Sequence, residues 1–595
     1  MFIKTPYEAY LDSYTQISIP TTEELVSVKL ETAGKCHTLD FAQVEAGYVA
    51  KVDFELDLQK PIFVHINNRY KIDLSIGMIT TTTEFDVRNK TTHELGAIYT
   101  KEATQFRVWS PVATQMILMV NGAPHQMNAD GKHYSVTVKG DLENARYYYI
   151  AQVNGQFVKV IDPYAYNLTF NNQEAVVTDL AKIKSNLPFN PNDKQTMVIY
   201  ETSVCDFTSD LESDFEHKGK FISFATTGKK YQEYPIGIDH VKDLGVSHIQ
   251  LMPIYDFGSV NEQFVADNNY NWGYDPTHYN VPEGSYATND SGNSRIVECQ
   301  QMIADIKAQG LGVIMDVVYN HVYDASTFNF NLLVPNYYLR FKADKQLSDG
   351  SFCGNEVASE RAMVRRYIID TLTTWVKYYR IDGIRIDLMG LMDIETIGLI
   401  EQELKQINPN FIIYGEGWNM ECGLPESERA TQINANKLPS VGHFNDDFRD
   451  FIKGNNSDFS KIGYVQGNRD QTKFNILMNG QTPEGLKTYV DEYQLINYVS
   501  CHDDHTLYDY LKHTTEDEQV IVDQIIECYE HIFRAKGIPF IHSGCEMKRT
   551  KDGEKNTYNK SRQLNAIKWN KLPLNRDIIE AIKVMIYRRK NGKYE

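Results

Sequence analysis

Four carboxylates stand in one order along this chain, each at the end of an apolar, β-branched run: Asp316 in DVVYNH, Asp387 in GIRIDLMG, Glu416 in YGEGW and Asp503 in YVSCHDDHT. Runs of that kind read as buried strands. Parallel strands that close into a barrel bring their C-terminal ends to one face, so acids far apart in sequence can surround one substrate. From about residue 195 the chain alternates apolar strands with amphipathic helices, the rhythm of a (β/α)8 barrel. Strands are expected at 197–201, 248–254, 311–319, 383–389, 411–417, 495–501 and 538–544, with the eighth near VGHFN at 441–445. Glu360 to Tyr379 carries apolar residues at helical spacing and should pack one face on the barrel wall.

Upstream, the pattern is different. Residues 1–92 hold short alternating strands broken by turn residues, as in VSVKLE, YVAKVDFEL and PIFVHINNRYKI, and read as a small β-sandwich-like domain. A second β region, 93–190, starts at LGAIYTKEATQFRVWSPVATQMILMV. The barrel takes 191–595. The expected fold is therefore multidomain, with an α/β barrel preceded by β-sandwiches, as a chain of 595 residues requires.

Charge excludes some partners. With 60 basic and 79 acidic residues, net −19, the chain suits neither nucleic acid nor an anionic membrane. A neutral polymer meets no such conflict, and 38 Tyr supply rings that can face the apolar side of a sugar, although most rings in any fold are core. No apolar run is long enough to span a bilayer, and MFIKTPYEAYLDSY lacks a basic stretch followed by an apolar one, so a cytoplasmic enzyme is expected. Eight scattered cysteines suggest neither a zinc site nor a disulfide framework, but reduced and mostly buried thiols.

Three acids on one barrel face point to glycoside chemistry. One carboxyl must protonate the leaving oxygen while another stabilises an oxocarbenium-like centre, and retaining enzymes hold the pair about 5 Å apart. Asp387 and Glu416 end neighbouring strands. Arg385, two residues before Asp387, points to the same side of its strand and should keep that carboxylate ionised. Glu416 needs a raised pKa, which burial beside Trp418 and nearby negative charge would favour. HDDH, His502 to His505, also admits a metal reading, because His and Asp bind divalent ions; a hydrolytic metal site would want further ligands from other strands.

The heptad YNWGYDP, Tyr270 to Pro276, resembles the signature of type I pullulanases, debranching enzymes of the α-amylase-type glycoside hydrolase family 13. VPEGSYAT and SGCEMKRTKDGEKNTYNKSRQLNAIKWN add to the likeness, and FRVWSP resembles the family 48 glycan-binding module that precedes such barrels. The resemblance implies retaining hydrolysis of α-1,6 branch linkages in pullulan, starch and glycogen-derived dextrins. By that resemblance Asp387 is the nucleophile, Glu416 the general acid and base, and Asp503 the acid that stabilises the transition state. His502 and His321 would bind the sugar where the bond breaks, Tyr274 would stack under it, and Asn271, Trp272, Arg385 and Trp418 would complete the substrate site. Asp316 and Asn320 would hold the barrel end in shape. No organic cofactor is implied; a structural calcium ion is allowed, since some relatives carry one.

Three departures stand out: Asp504 where the family has Asn, Cys545 where it has Gln, and Cys205 where it has Arg. An isoamylase, a branching enzyme or an α-1,4-acting amylase shares the acids on the same barrel, and a non-catalytic glucan-binding protein is the alternative from another class. The heptad favours a pullulanase over the first three. The chain ends after RDIIEAIKVMIYRRK, with no counterpart of the family's C-terminal β-sandwich, so Ile578, Ile582 and Ile586 are expected to be exposed.

Overall fold

The computed structural model describes residues 6–482 and 487–594, so Met1 to Thr5, where a leader would begin, lie outside the described residues. Two compact units emerge: Met1–Lys182 with Val322–Ile368, and Ile183–His321 with Ile369–Glu595.

The first unit is built from sheets that are antiparallel except where strand 75–76 runs parallel to 10–13. Its first residues form a five-stranded sheet in the order 41–44, 47–51, 16–19, 10–13, 75–76 and a four-stranded sheet in the order 35–38, 28–32, 62–66, 70–73. Alternation explains both, for Val28, Leu30, Val64 and Ile66 are fully buried while their neighbours along the strand face outward. Strands 96–99, 103–109, 133–139 and 128–129 make a third sheet, and 123–126, 115–120, 146–153 and 156–160 make a fourth. Trp109, from FRVWSP, is buried and donates its indole N–H to the Asn89 carbonyl at 2.9 Å.

The second unit is a closed eight-stranded parallel barrel: β1 (Ile199–Thr202), β2 (His248–Leu251), β3 (Gly312–Val317), β4 (Gly383–Ile386), β5 (Ile412–Gly415), β6 (Gly442–Phe444), β7 (Leu495–Asn497) and β8 (Ile538–His542). Every expected strand falls on one of these, including VGHFN. Most are shorter at the C-terminal end than the apolar runs suggest, because the last residues leave the ladder to face the substrate side. Ile199, Ile314, Ile412, Tyr414, Phe444, Ile496 and Phe540 fill the interior, each worth about 1.5–3 kcal/mol of burial. The helix expected over 360–379 spans Ala362–Thr374 and continues as a π turn, Trp375–Tyr379, whose Trp375 indole donates to the Tyr279 carbonyl at 2.8 Å.

One expectation is corrected here. Ile578, Ile582 and Ile586 are 1%, 0% and 1% exposed, not open to solvent. Their i, i+4, i+8 spacing places them on one face of helix Arg576–Lys590, which packs against helices Glu518–Arg534 and Ile238–Leu244. The large apolar residues of that helix that face outward are Val584 and Tyr587, alongside charged Arg576, Asp577, Glu580 and Arg588. Cys205, Cys299, Cys528 and Cys545 are buried thiols, whereas Cys36 and Cys353 are exposed. Among the described residues no helix is long and apolar enough to cross a membrane.

Candidate active site

The site is organised around one guanidinium. Arg385 sits opposite Asp316 in the β3–β4 ladder, and its strand carries the side chain to the C-terminal end of the barrel. There Nη1 donates to Asp316 Oδ1 and to Asp387 Oδ1, both at 2.9 Å, while Nη2 pairs with Glu416 Oε1 at 2.7 Å. Arg385 is 1% exposed, so the three contacts act in a medium of low polarity. One guanidinium thus ties both carboxylates to the same end of the barrel, the arrangement that a retaining glycosidase, with its carboxyl groups about 5–5.5 Å apart, requires.

The remaining oxygens of this pair are also held. Asn320 Nδ2 donates to Asp387 Oδ2 and to the Asp387 carbonyl, each at 2.8 Å. The backbone N–H of Leu388 donates to Glu416 Oε2 at 3.0 Å. Leu388 reaches that position with φ +40, a left-handed conformation that a branched non-glycine residue seldom adopts. Two residues on, Gly390 is required: a Cβ there would lie 2.1 Å from the Trp418 carbonyl oxygen. The turn after β4 is thereby pressed against the segment that carries Glu416, and half-buried Trp418 packs on the barrel core beside it.

Electrostatics separates the acids. Burial pushes Glu416 up to about 7, with Asp387 and Asp503 adding to the rise and Arg385 opposing it. Burial also lifts Asp316 to about 7 against the pull of Arg385. Asp503 is raised, chiefly because the surrounding site strips hydration from its charged form although the side chain is 45% exposed, with His502 and Arg385 working the other way. The Arg385 guanidinium and the His502 ring are fewer than the carboxyls around them, which leaves protons in the cluster up to neutral pH.

The opposite wall is aromatic. Tyr274 donates its hydroxyl to Asp316 Oδ2 at 2.7 Å and stacks on the His502 ring, centroids 4.7 Å apart. Trp272 meets His502 edge-on at 5.1 Å and carries Lys551 over its face at 4.8 Å. Asn271 accepts the Gly273 N–H at 3.0 Å, and Gly273, at φ +97, makes the turn that only glycine takes readily. His321 is engaged at both ring nitrogens, with Asn320 Oδ1 at 2.6 Å and the Tyr274 carbonyl at 2.8 Å, so in this structure it supports Tyr274 from behind.

His502 Nε2 lies 3.5 Å from Asp503 Oδ2, and Asp503 is 45% exposed. Burial opposes a charge on His502, but Asp503 and Glu201 outweigh it and lift the ring to about 9. Glu201 was not singled out in the sequence. Its Oε2 accepts the His502 backbone N–H and its Oε1 the Nδ1 proton, both at 2.8 Å, with Gln250 Nε2 on Oε1 at 3.1 Å. The signal was present, since Glu201 ends the apolar run MVIYE as the four other carboxylates end theirs. Of HDDH, His502 and Asp503 share a group of possible metal ligands, with Cys501 rather than Asp504 or His505.

Comparison with known proteins agrees with this geometry. Residues 94–165 match the carbohydrate-binding module 48 (isoamylase N-terminal domain), and residues 237–334 match the α-amylase catalytic domain. A pullulanase of Bacillus subtilis is 34% identical over 99% of the chain, which spans 85% of that protein. The crystal structure of a pullulanase from Anoxybacillus sp. LM18-11 complexed with maltotetraose superposes with a TM-score of 0.92, at 35% identity, covering 98% of this chain and 86% of that one. The Bacillus subtilis type I pullulanase complexed with maltose gives 0.94, at 33% identity, covering 99% and 86%.

Proposed function

The chain belongs to the type I pullulanases of glycoside hydrolase family 13, and from that premise we propose that it hydrolyses α-1,6 branch linkages in pullulan, starch and glycogen-derived dextrins with retention at the anomeric carbon. Asp387 attacks that carbon as the bond to the leaving 6-oxygen breaks, and the Glu416 proton passes to that oxygen. In the second half Glu416, now a carboxylate, takes a proton from water, whose oxygen displaces Asp387. Asp503 and His502 hold sugar hydroxyls, and the Asp503 carboxylate balances the positive charge of the transition state. Tyr274 lies under the ring at the cleavage point. Asn271 and Trp272 form the turn that presents Tyr274, and Trp418 lines the far side. His321, Asn320 and Asp316 keep Tyr274, Asp387 and Arg385 in place.

The observation that carries this reading is the shared guanidinium, which keeps Asp387 and Glu416 close while burial leaves the proton on Glu416. Product analysis on pullulan tests the specificity. Maltotriose as main product is expected. Panose or isopanose would mean α-1,4 cleavage by the same barrel, and binding without release of reducing sugar would mean a glucan-binding protein.

Three further points belong to the proposal. The three-part division at 1–92, 93–190 and 191–595 is retained, with the sandwiches serving glucan binding. A cytoplasmic location is supported by eight cysteines with no disulfide between them, and fractionation of the source cells tests it. No calcium requirement is proposed. Asp256, Glu262 and Glu283 form a buried oxygen-rich group, but Arg295 already occupies it, at 3.5 Å from Asp256 Oδ1 and 3.2 Å from Glu262 Oε2. Glu283 is raised well above the carboxylate range by burial and by those two acids, so an arginine and a proton already cancel two of the three negative charges that a divalent ion would meet.

A further inference from the structure

Three consecutive residues after β7 bring together a thiol, an imidazole and a carboxylate. One ligand atom from each of Cys501, His502 and Asp503 lies within 4.8 Å of the others. His502 Nε2 and Asp503 Oδ2 are already 3.5 Å apart. Zinc holds N, O and S ligands at about 2.0–2.3 Å in a tetrahedron, which sets pairs of ligand atoms about 3.3–3.8 Å apart. The nitrogen and oxygen therefore stand at zinc spacing, and the sulfur needs to move by about 1.5 Å at most.

A second observation points the same way. Ligating histidines donate their other ring N–H to a carboxylate that fixes the tautomer and aims the free nitrogen at the metal. His502 has that partner: Glu201, buried, accepts the Nδ1 proton at 2.8 Å and also anchors the residue through its backbone N–H. Nε2 is left directed toward Asp503. Cys501 and Asp503 are each only partly buried, so an ion can arrive from the substrate side. Sulfur, nitrogen and a single oxygen suit zinc or cadmium and poorly suit magnesium or calcium.

We propose that Cys501, His502 and Asp503 form an inhibitory binding site for a thiophilic divalent cation of the zinc class. Resting on the assignment of Asp503 and His502 to catalysis, the proposal makes the ion a competitor of the glucan, because it takes the carboxylate and imidazole that the sugar needs. Each ion bound releases the thiol proton, and the imidazole proton where one is present, to solvent, and a water completes the fourth position. The Cys-pair spacings that mark zinc sites in a sequence could not reveal it, since its ligands are adjacent.

The test uses the full chain, stripped of metals by a chelating resin, with Cys36→Ser and Cys353→Ser in the background to remove the exposed thiols. Zinc chloride is titrated by calorimetry and, in parallel, against initial rates on pullulan at several pullulan concentrations. Expected are one equivalent bound, inhibition that pullulan relieves, and a thiolate-to-cadmium charge-transfer band when cadmium replaces zinc. Adding Cys501→Ser should raise the zinc concentration for half inhibition by about 10-fold or more and remove the band. Zinc inhibition and a cadmium band that both survive Cys501→Ser would overturn the site, as would the absence of any bound equivalent. If zinc binds with the band but pullulan is not hydrolysed, the site stands and the assignment of function fails; activity that zinc does not touch has the reverse meaning.

Discussion

Arg385→Lys should move the whole pH–rate profile toward alkali. The guanidinium makes contacts of 2.9, 2.9 and 2.7 Å with Asp316, Asp387 and Glu416. An ammonium on a shorter stem keeps the charge but cannot span three carboxylates. A hydrogen bond to a charged group contributes about 1.5–3 kcal/mol. Losing the one to Glu416 removes that much preference for its ionised form, which at 1.36 kcal/mol per unit is a rise of about 1–2 pKa units. Glu416, now at about 7, would keep its catalytic proton to about 8–9, and the alkaline limb should follow. Arg385 also lowers Asp503, so the acidic limb should rise as well. The assay is the initial rate of reducing-end release from pullulan between pH 4 and 10, with folding confirmed at each pH by circular dichroism.

Stability supplies the check on sign. Folded-state pKa values of Glu416 and Asp316 lie above their ordinary values, so their contribution is present at low pH and lost as pH rises through about 7. The variant should therefore match the parent most closely near pH 5, where the cluster keeps its protons. At pH 9 it should fall behind, since unpairing a buried carboxylate costs about 3–5 kcal/mol. Limbs that stay within about 0.3 units on folded enzyme, or that move toward acid, would refute the reasoning, since even the low end of the hydrogen-bond range corresponds to about one unit.

Two further outcomes are expected. Asp504 has φ +60, which suits asparagine at least as well, and its charge is one of the lesser influences raising Asp503 behind burial. Asp504→Asn should therefore fold normally and shift the acidic limb downward by up to about one unit; a limb that does not move on folded enzyme would show that the charge is screened or neutralised, the carboxylate already accepting from Asn456. Dialysis against a strong chelator should leave activity and melting temperature no lower than before, and a loss restored by calcium alone would show that Arg295 does not fill the place of an ion among Asp256, Glu262 and Glu283.

How much of this could be read from the chain depends on the range of each interaction. Barrel strands were legible because burial on both faces writes a continuous apolar run; three-residue β6, whose VGHFN holds a histidine and an asparagine, was written least plainly. The acids at their ends were legible for the same reason. That Arg385 would serve Asp387 followed from the two-residue period of a strand, whereas its bonds to Asp316 and Glu416 depend on the register between neighbouring strands, which the sequence does not write. Glu201 ends a strand as the others do but sits more than a hundred residues before them, and only closure of the barrel brings it to His502. The isoleucines of the last helix failed in the opposite sense. Their helical spacing was plain, but which surface covers that face is a tertiary fact.

The most direct test of the account is to trap the intermediate on Asp387. With Glu416→Gln, α-maltotriosyl fluoride needs no acid to expel its leaving group, while the second half of the reaction lacks its base, so a glycosyl-enzyme should accumulate. After acid quench and proteolysis, mass spectrometry should find one maltotriosyl ester, on the peptide containing Asp387. An adduct on Asp316 or Asp503, or fluoride released with inversion and no adduct at any time, would contradict the account.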